Sequence, residues 1–322
     1  MLSRVADSLY WMSRYVERAE NVARFIDVNL HLMLDMEMAA LQQWDPLVLV
    51  TGDQRIFRDR YCSTSQENVL EFLSFDKHYP NSILSCVRSA RENARSVREV
   101  ISSEMWEQLN AFYHLVSSPE APDLARKDPH EFYTQLKLNS QLFIGLAEGT
   151  MSHAEGWQFL NLGRMLERAD KTSRILDVKY FILLPEARAV GSPLDNIQWA
   201  AVLKSASALE MYRKRHRRLQ PASVVDFLIF DREFPRSIQF CLTNATESLH
   251  QITGTPGDTF RSSAERRLGR LRSELDYSDV DEIFSLGVHE FLDQFQAKLN
   301  RVGMAVAETF FAARPLPNGA RE

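Results

Sequence analysis

Two short runs of residues carry the charge pattern on which chemistry in this chain would rest. Arg14-Tyr15-Val16-Glu17-Arg18-Ala19-Glu20 recurs at an offset of 150 as Arg164-Met165-Leu166-Glu167-Arg168-Ala169-Asp170, and Arg24, Asp27 and Val28 fall on Arg174, Asp177 and Val178. Arginine presents a planar fork of N–H donors that fits carboxylates and phosphates, and a glutamate beside it can serve as a base. Wound into a helix, Tyr10, Arg14, Glu17, Arg18, Asn21 and Arg24 share an arc of about 120°. Leu160, Arg164, Glu167, Arg168, Lys171 and Arg174 take the same places in the second run. Two readings follow. In one, Glu17 and Glu167 are catalytic bases, and Arg14, Arg18, Asn21, Arg24, Arg164, Arg168, Asp170 and Arg174 bind a carboxylate or phosphate substrate. In the other, these residues pair with one another in a buried network that fixes helix register. Trp11 and Phe25 lie beside or within the stripe and favour burial, which is tolerable for charges only when they are matched.

Other chemistry is weakly represented. Cys62, Cys86 and Cys241 are too few and too far apart for a zinc or disulfide pattern. Cys86 and Cys241 align with each other at an apolar position, which reads as small core residues. Neither His130-Glu131 nor His289-Glu290 is followed by a second histidine at zinc-protease spacing. A di-metal bundle needs two Glu-x-x-His pairs, and only Glu247 to His250 supplies one, so no metal site is expected. His153 reads as a helix-start residue, with a reach toward Glu167 as the alternative. The basic run from Arg213 to Arg218 suits a solvated helix end; because Arg58 and Arg60 align with Arg213 and Arg215, an acidic partner or nucleotide phosphate near both is the alternative. No glycine-rich phosphate loop or dinucleotide fingerprint is present, and no cofactor is expected.

The elements that position these residues repeat as well. At an offset of 155, Phe72-Leu73-Ser74-Phe75-Asp76-Lys77-His78-Tyr79-Pro80-Asn81-Ser82-Ile83 lies on Phe227-Leu228-Ile229-Phe230-Asp231-Arg232-Glu233-Phe234-Pro235-Arg236-Ser237-Ile238, and His130-Glu131-Phe132 meets His289-Glu290-Phe291 at 159. The order and slow drift of the offset indicate an internal duplication. The expected fold is all-α: a duplicated multi-helix bundle with pseudo-twofold symmetry and no sheet. The repeats span 1–150 and 151–313 within one continuous domain, with a flexible tail at 314–322. Met12, Tyr15, Val16, Ala19, Val22, Ala23 and Ile26 share one helical face, with Ser3 as N-cap. Further helices are expected over Pro46–Tyr61, Gln66–Phe72, Ser82–Ile101, Glu104–Val116, Pro129–Glu148 and Asp279–Ala312. Asp128, Pro129 and Glu131 supply a cap, an N1 proline and an N3 acid. The Phe-Asp-x-x-x-Pro-x-Ser-Ile blocks read as helix-to-helix corners, with anion binding by the corner's free backbone N–H groups as the alternative.

With 322 residues, 45% of them hydrophobic, and a net charge of −5, the composition is that of a globular chain with no global basic character. Nucleic-acid binding is therefore not expected. The first residues lack an apolar run of signal-peptide length. The apolar stretch Tyr180-Phe181-Ile182-Leu183-Leu184 is too short to span a bilayer. A cytoplasmic, membrane-free protein is expected.

The segments Trp11-Met12-Ser13-Arg14-Tyr15-Val16-Glu17-Arg18-Ala19-Glu20-Asn21-Val22-Ala23-Arg24 and Leu162-Gly163-Arg164-Met165-Leu166-Glu167-Arg168-Ala169-Asp170 strongly resemble the bacterial alpha-E family, a wholly helical family with Glu-Arg motifs. The resemblance spans nearly the whole chain. It implies a context of peptide modification, because family members occur beside or fused to a circularly permuted ATP-grasp ligase and a transglutaminase-like protein. It therefore implies an accessory or co-catalytic role in ATP-grasp-dependent peptide or amide synthesis. An enzyme acting on a carboxylate or peptide through the Glu-Arg helices, and a purely structural helical adaptor, are the alternatives.

Overall fold

The computed structural model describes residues 1–35, 44–182, 193–257 and 259–312. The tail expected from Arg314, and the end of the apolar stretch at Leu183 and Leu184, lie outside them. Sixteen α-helices and no strand are found among the described residues. The first half runs α1 (Ser3–Asp35), α2 (Asp45–Thr51), α3 (Gln54–Arg58), α4 (Gln66–Leu70), α5 (Ile83–Ser96), α6 (Ser103–Ser117), α7 (Ala121–Lys127) and α8 (Pro129–Thr150). The second runs α9 (Glu155–Ile182), α10 (Pro193–Ser205), α11 (Leu209–Arg215), α12 (Pro221–Phe230), α13 (Ile238–Thr253), α14 (Ser263–Asp276), α15 (Val280–Leu286) and α16 (Val288–Val306). Single π-helical turns follow α4 at Glu71–Phe75 and α16 at Ala307–Phe311.

The long opening helices form the centre. α1 packs on α9, and each then carries its own half: α5 and α8 lie against α1, while α13 and α16 lie against α9. The short helices cross over, α2 onto α9 and α10 onto α1. Both faces of α1 are thus covered. Leu9, Met12, Val16, Ala19, Ala23 and Ile26 are buried in the core, and so are Glu17 and Asn21 from the polar stripe and Glu20 beside it; Tyr15, placed on the apolar face by periodicity, is only half-buried. The opening helices approach closely at Gly163, where an added Cβ would stand 2.3 Å from the Tyr10 carbonyl oxygen. That contact explains a glycine inside a helix, where it otherwise costs stability relative to alanine.

Several element boundaries differ from the periodicity. The helix expected over Pro46–Tyr61 breaks at Gly52, which caps α2 in the left-handed region at φ 76°. The helix expected over Asp279–Ala312 breaks at Gly287, φ 101°, separating α15 from α16. In both cases the side-chain pattern continues through a backbone conformation that glycine permits. α5 ends at Ser96, short of Ile101. Ser3 is inside α1. Asp128 caps α8 as expected, its carboxylate accepting from the Glu131 N–H at 3.1 Å. Ser82 and Ser237 stand one residue ahead of the next helix as N-caps, accepting at 3.1 Å from the N–H groups of Ser85 and Phe240. Each also donates back to the carbonyl of the corner aspartate, Asp76 or Asp231. The corner is thereby closed by its own serine. No helix among the described residues is long and apolar enough to cross a membrane.

Candidate functional site

The polar stripe of α1 faces the matching stripe of α9, and their charges cross. Glu17 accepts a two-pronged bond from Arg168, Nε to Oε1 at 2.9 Å and Nη2 to Oε2 at 2.8 Å. Glu167 accepts the reciprocal pair from Arg18, Nε to Oε1 at 2.7 Å and Nη2 to Oε2 at 3.0 Å. A second guanidinium completes each carboxylate: Arg236 reaches Glu17 at 2.9 Å, and Arg14 reaches Glu167 at 2.8 Å. The Asn21 amide adds a bond to Glu17 at 3.0 Å, and the Lys171 ammonium stands 3.5 Å from Glu167. Both carboxylates are 0% exposed.

Full burial would raise the pKa of a carboxyl group, because it penalises the charged form. In Glu17 that push is outweighed by the charges of Arg168 and Arg236 with their hydrogen bonds; in Glu167 it is outweighed by Arg18, Arg14 and Lys171. Both groups are therefore held ionised, well below the usual carboxylate range. A general base works best with a pKa near the operating pH. Two carboxylates saturated by guanidinium donors are instead suited to holding positive charge in place.

The remaining stripe residues divide between this cross and its flanks. Arg24 pairs with Glu20 through Nε at 3.0 Å and also donates to the Ser207 hydroxyl. Arg174 pairs with Asp170 at 2.9 Å, and Lys171 joins the same carboxylate at 2.9 Å. Burial opposes the charge on Asp170, but Lys171 and Arg174 pull its pKa down to about 2. Arg164 turns away from Glu17, to Glu148 at 2.9 Å and Asn161 at 2.7 Å. The place that Arg14 takes at Glu167 is taken at Glu17 by Arg236 from the second corner, which the helix periodicity could not reveal. The signal was present in the repeat: Arg236 aligns with Asn81, a gain of positive charge within the aligned corner block.

Other candidates resolve locally. The Cys86 and Cys241 thiols are buried against the corner carbonyls of Pro80 and Pro235, and burial pushes both up to about 12, far from a reactive thiolate. Arg60 and Arg215 pair with the corner aspartates Asp76 and Asp231, so the aligned cations find acid partners within the chain. His153 stacks on Trp157 and meets the Glu148 carbonyl at 3.1 Å. His250 reaches the Thr255 carbonyl at 2.9 Å. Asp27, His31 and His130 offer three ligand atoms within 4.8 Å of one another. The Asp27 carboxylate, however, already holds the Lys137 ammonium at 2.6 Å, and a cation there would meet like charge. His130–Asp27 at 2.8 Å has its counterpart in His289–Asp177 at 2.7 Å, without a second histidine, so the repeated feature is a helix-joining hydrogen bond.

A helical bundle joined through a buried, reciprocal Glu–Arg cross defines the class of this protein. The chain belongs to the Alpha-E family, described as a predicted alpha-helical domain with a conserved ER motif, whose sequence profile matches residues 1–311. It is similar to uncharacterised proteins of Mycobacterium bovis and Mycobacterium tuberculosis, 25% identical over 341 residues, which cover 98% of this chain and 37% of each relative. The chain thus spans little more than a third of the length of the curated relatives it matches. No solved structure matches it significantly.

Proposed function

We propose that this protein is a helical accessory or co-catalytic component of an ATP-grasp-dependent peptide or amide synthesis or modification system, acting in the cytoplasm. Its Glu–Arg helices serve as the rigid joint that holds the working surface together. One observation carries this assignment: Glu17 and Glu167 are fully buried, and each is saturated by two guanidiniums. Such groups neither accept a proton near neutral pH nor expose an edge to a substrate. The resemblance supplies the partner, a circularly permuted ATP-grasp protein, with a transglutaminase-like protein as a second associate. That the unit makes up 37% of longer relatives agrees with a module working beside other activities.

The test is ATP-dependent amide formation by the neighbouring ATP-grasp protein, with and without this chain, after co-purification of the two. Product formation should require the chain, and Glu17→Gln should impair it only in proportion to lost folded protein. A folded Glu17→Gln chain that still binds the ligase but abolishes product would instead favour an enzyme using Glu17 as base. Product formed equally well without the chain would leave only an adaptor.

A further inference from the structure

The two corners differ in the residue after the proline, Asn81 in one and Arg236 in the other, and a pocket lies beside the first. In the second half Arg236 projects from its corner into the cross. Its Nη1 lies 2.9 Å from Glu17 and 3.4 Å from Asn21, and its Nη2 lies 2.7 Å from Glu20. In the first half the aligned corner residue is Asn81. Its side chain stops short of the aligned acids, accepting from Arg18 at 2.5 Å and donating to Asp53 at 3.1 Å. The missing cation comes from the helix instead: Lys171, aligned with Asn21, carries the ammonium held by Asp170 and Glu167. Two linked exchanges, Arg236 for Asn81 and Asn21 for Lys171, thus keep both crosses neutralised but remove the long side chain from one.

The space left is a cavity of about 220 Å³, whose charged lining is Arg14, Arg18, Lys171 and Arg174 against Asp53 and Asp170. The four cationic side chains retain between 13% and 20% exposure, so solvent reaches them. Glu167 lies behind this wall, fully buried, and counting it leaves an excess of one positive charge. Asp53 is engaged by the Tyr79 hydroxyl at 2.7 Å and by Asn81. In the second half the positions aligned with Asp53 and Tyr79 are Ala208 and Phe234, which carry neither group. Arg174 commits its Nε to Asp170, which leaves further N–H donors of its fork for another acceptor.

We infer that the first-half cavity is a binding site for a small oxyanion, a carboxylate or phosphate group, and that Arg236 fills the equivalent place in the second half. Each chain then binds one such group, with Arg174 and Lys171 as the principal contacts and Asn81 keeping the space open. The inference rests on this cavity and not on the ligase partnership.

Calorimetric titration of the full chain at low ionic strength, with glutamate and inorganic phosphate as separate probes, tests it. At least one probe should saturate at one site per chain, and the tighter of the two identifies the source of the oxyanion. Asn81→Arg combined with Lys171→Asn transplants the second-half arrangement. That variant should keep the helical signal and lose binding. Arg174→Gln leaves the cavity open and should weaken binding about tenfold, as expected for loss of a charge-assisted hydrogen bond. Because Arg174→Gln breaks a single ion pair and leaves Asp170 held by Lys171, it decides the matter if the double variant fails to fold. No saturable binding of either probe, two sites per chain, or binding that survives the substitutions would each overturn the proposal. No ligase is present in the titration, so it can fail while the accessory role stands, and the reverse.

Discussion

A carboxylate removed from water survives as an anion only if the protein replaces the solvent, and at Glu17 and Glu167 the replacement is two guanidiniums apiece. Burial raises their pKa, the arginine charges lower it, and the arginines win. The consequence for stability has a definite sign. Below the ordinary carboxyl value of 4.5 the unfolded chain takes up protons that the folded chain refuses. The contribution of these groups is therefore complete above about pH 5 and declines as acid is added, by up to about 1.4 kcal/mol per pH unit for each carboxylate. Denaturant midpoints measured from pH 7 to pH 3 should be flat at first and then fall. Glu17→Gln should begin about 3–5 kcal/mol less stable, because it strands Arg168 and Arg236 in the interior, and its acid decline should be shallower. Equal declines in variant and wild type would place the acid sensitivity elsewhere.

The helices make this matching geometric, and Gly163 shows how tightly. An alanine there would put its Cβ 2.3 Å from the Tyr10 carbonyl oxygen and 2.6 Å from the Ser13 hydroxyl. Backbone cannot yield as a side-chain tip can, so α1 and α9 would have to separate and the arginine forks would lose their reach. Gly163→Ala should cost about 1–3 kcal/mol as an overpacked contact. Gly145→Ala, in α8 with nothing within 4 Å of its added Cβ, should be neutral or stabilising by about 0.5–1 kcal/mol. Thermal melts of the two variants give the comparison, and similar losses in both would remove the close crossing as the cause. At this scale the sequence was largely readable. The 3.6-residue period located the opening helices, and the Pro-Ser blocks located the corners. The breaks at Gly52 and Gly287 were hidden because apolar spacing continues across them. Arg236 was hidden because a side chain entering from a corner obeys no helical period.

The molecule is held together by elements exchanged between halves. α2 belongs to the first half yet packs on α9, and α10 belongs to the second yet packs on α1. The arginines cross in the same way, Arg18 to Glu167 and Arg168 to Glu17. A half on its own would present its central carboxylate without either guanidinium and a long helix with one face uncovered. This interlock was not legible from the aligned blocks, since an alignment records which residues correspond and not which ones touch. Chains comprising 1–150 and 151–322 should therefore each show little cooperative unfolding alone. Mixed, they should recover helicity and a single melting transition, because the cross and the two exchanged helices supply an interface with both hydrophobic area and reciprocal charge. Glu167→Gln in the second fragment should weaken that recovery by leaving Arg14 and Arg18 of the first unmatched. If each fragment instead melts cooperatively by itself, the halves are independent domains and the Glu–Arg cross is a contact between finished units rather than part of their folding.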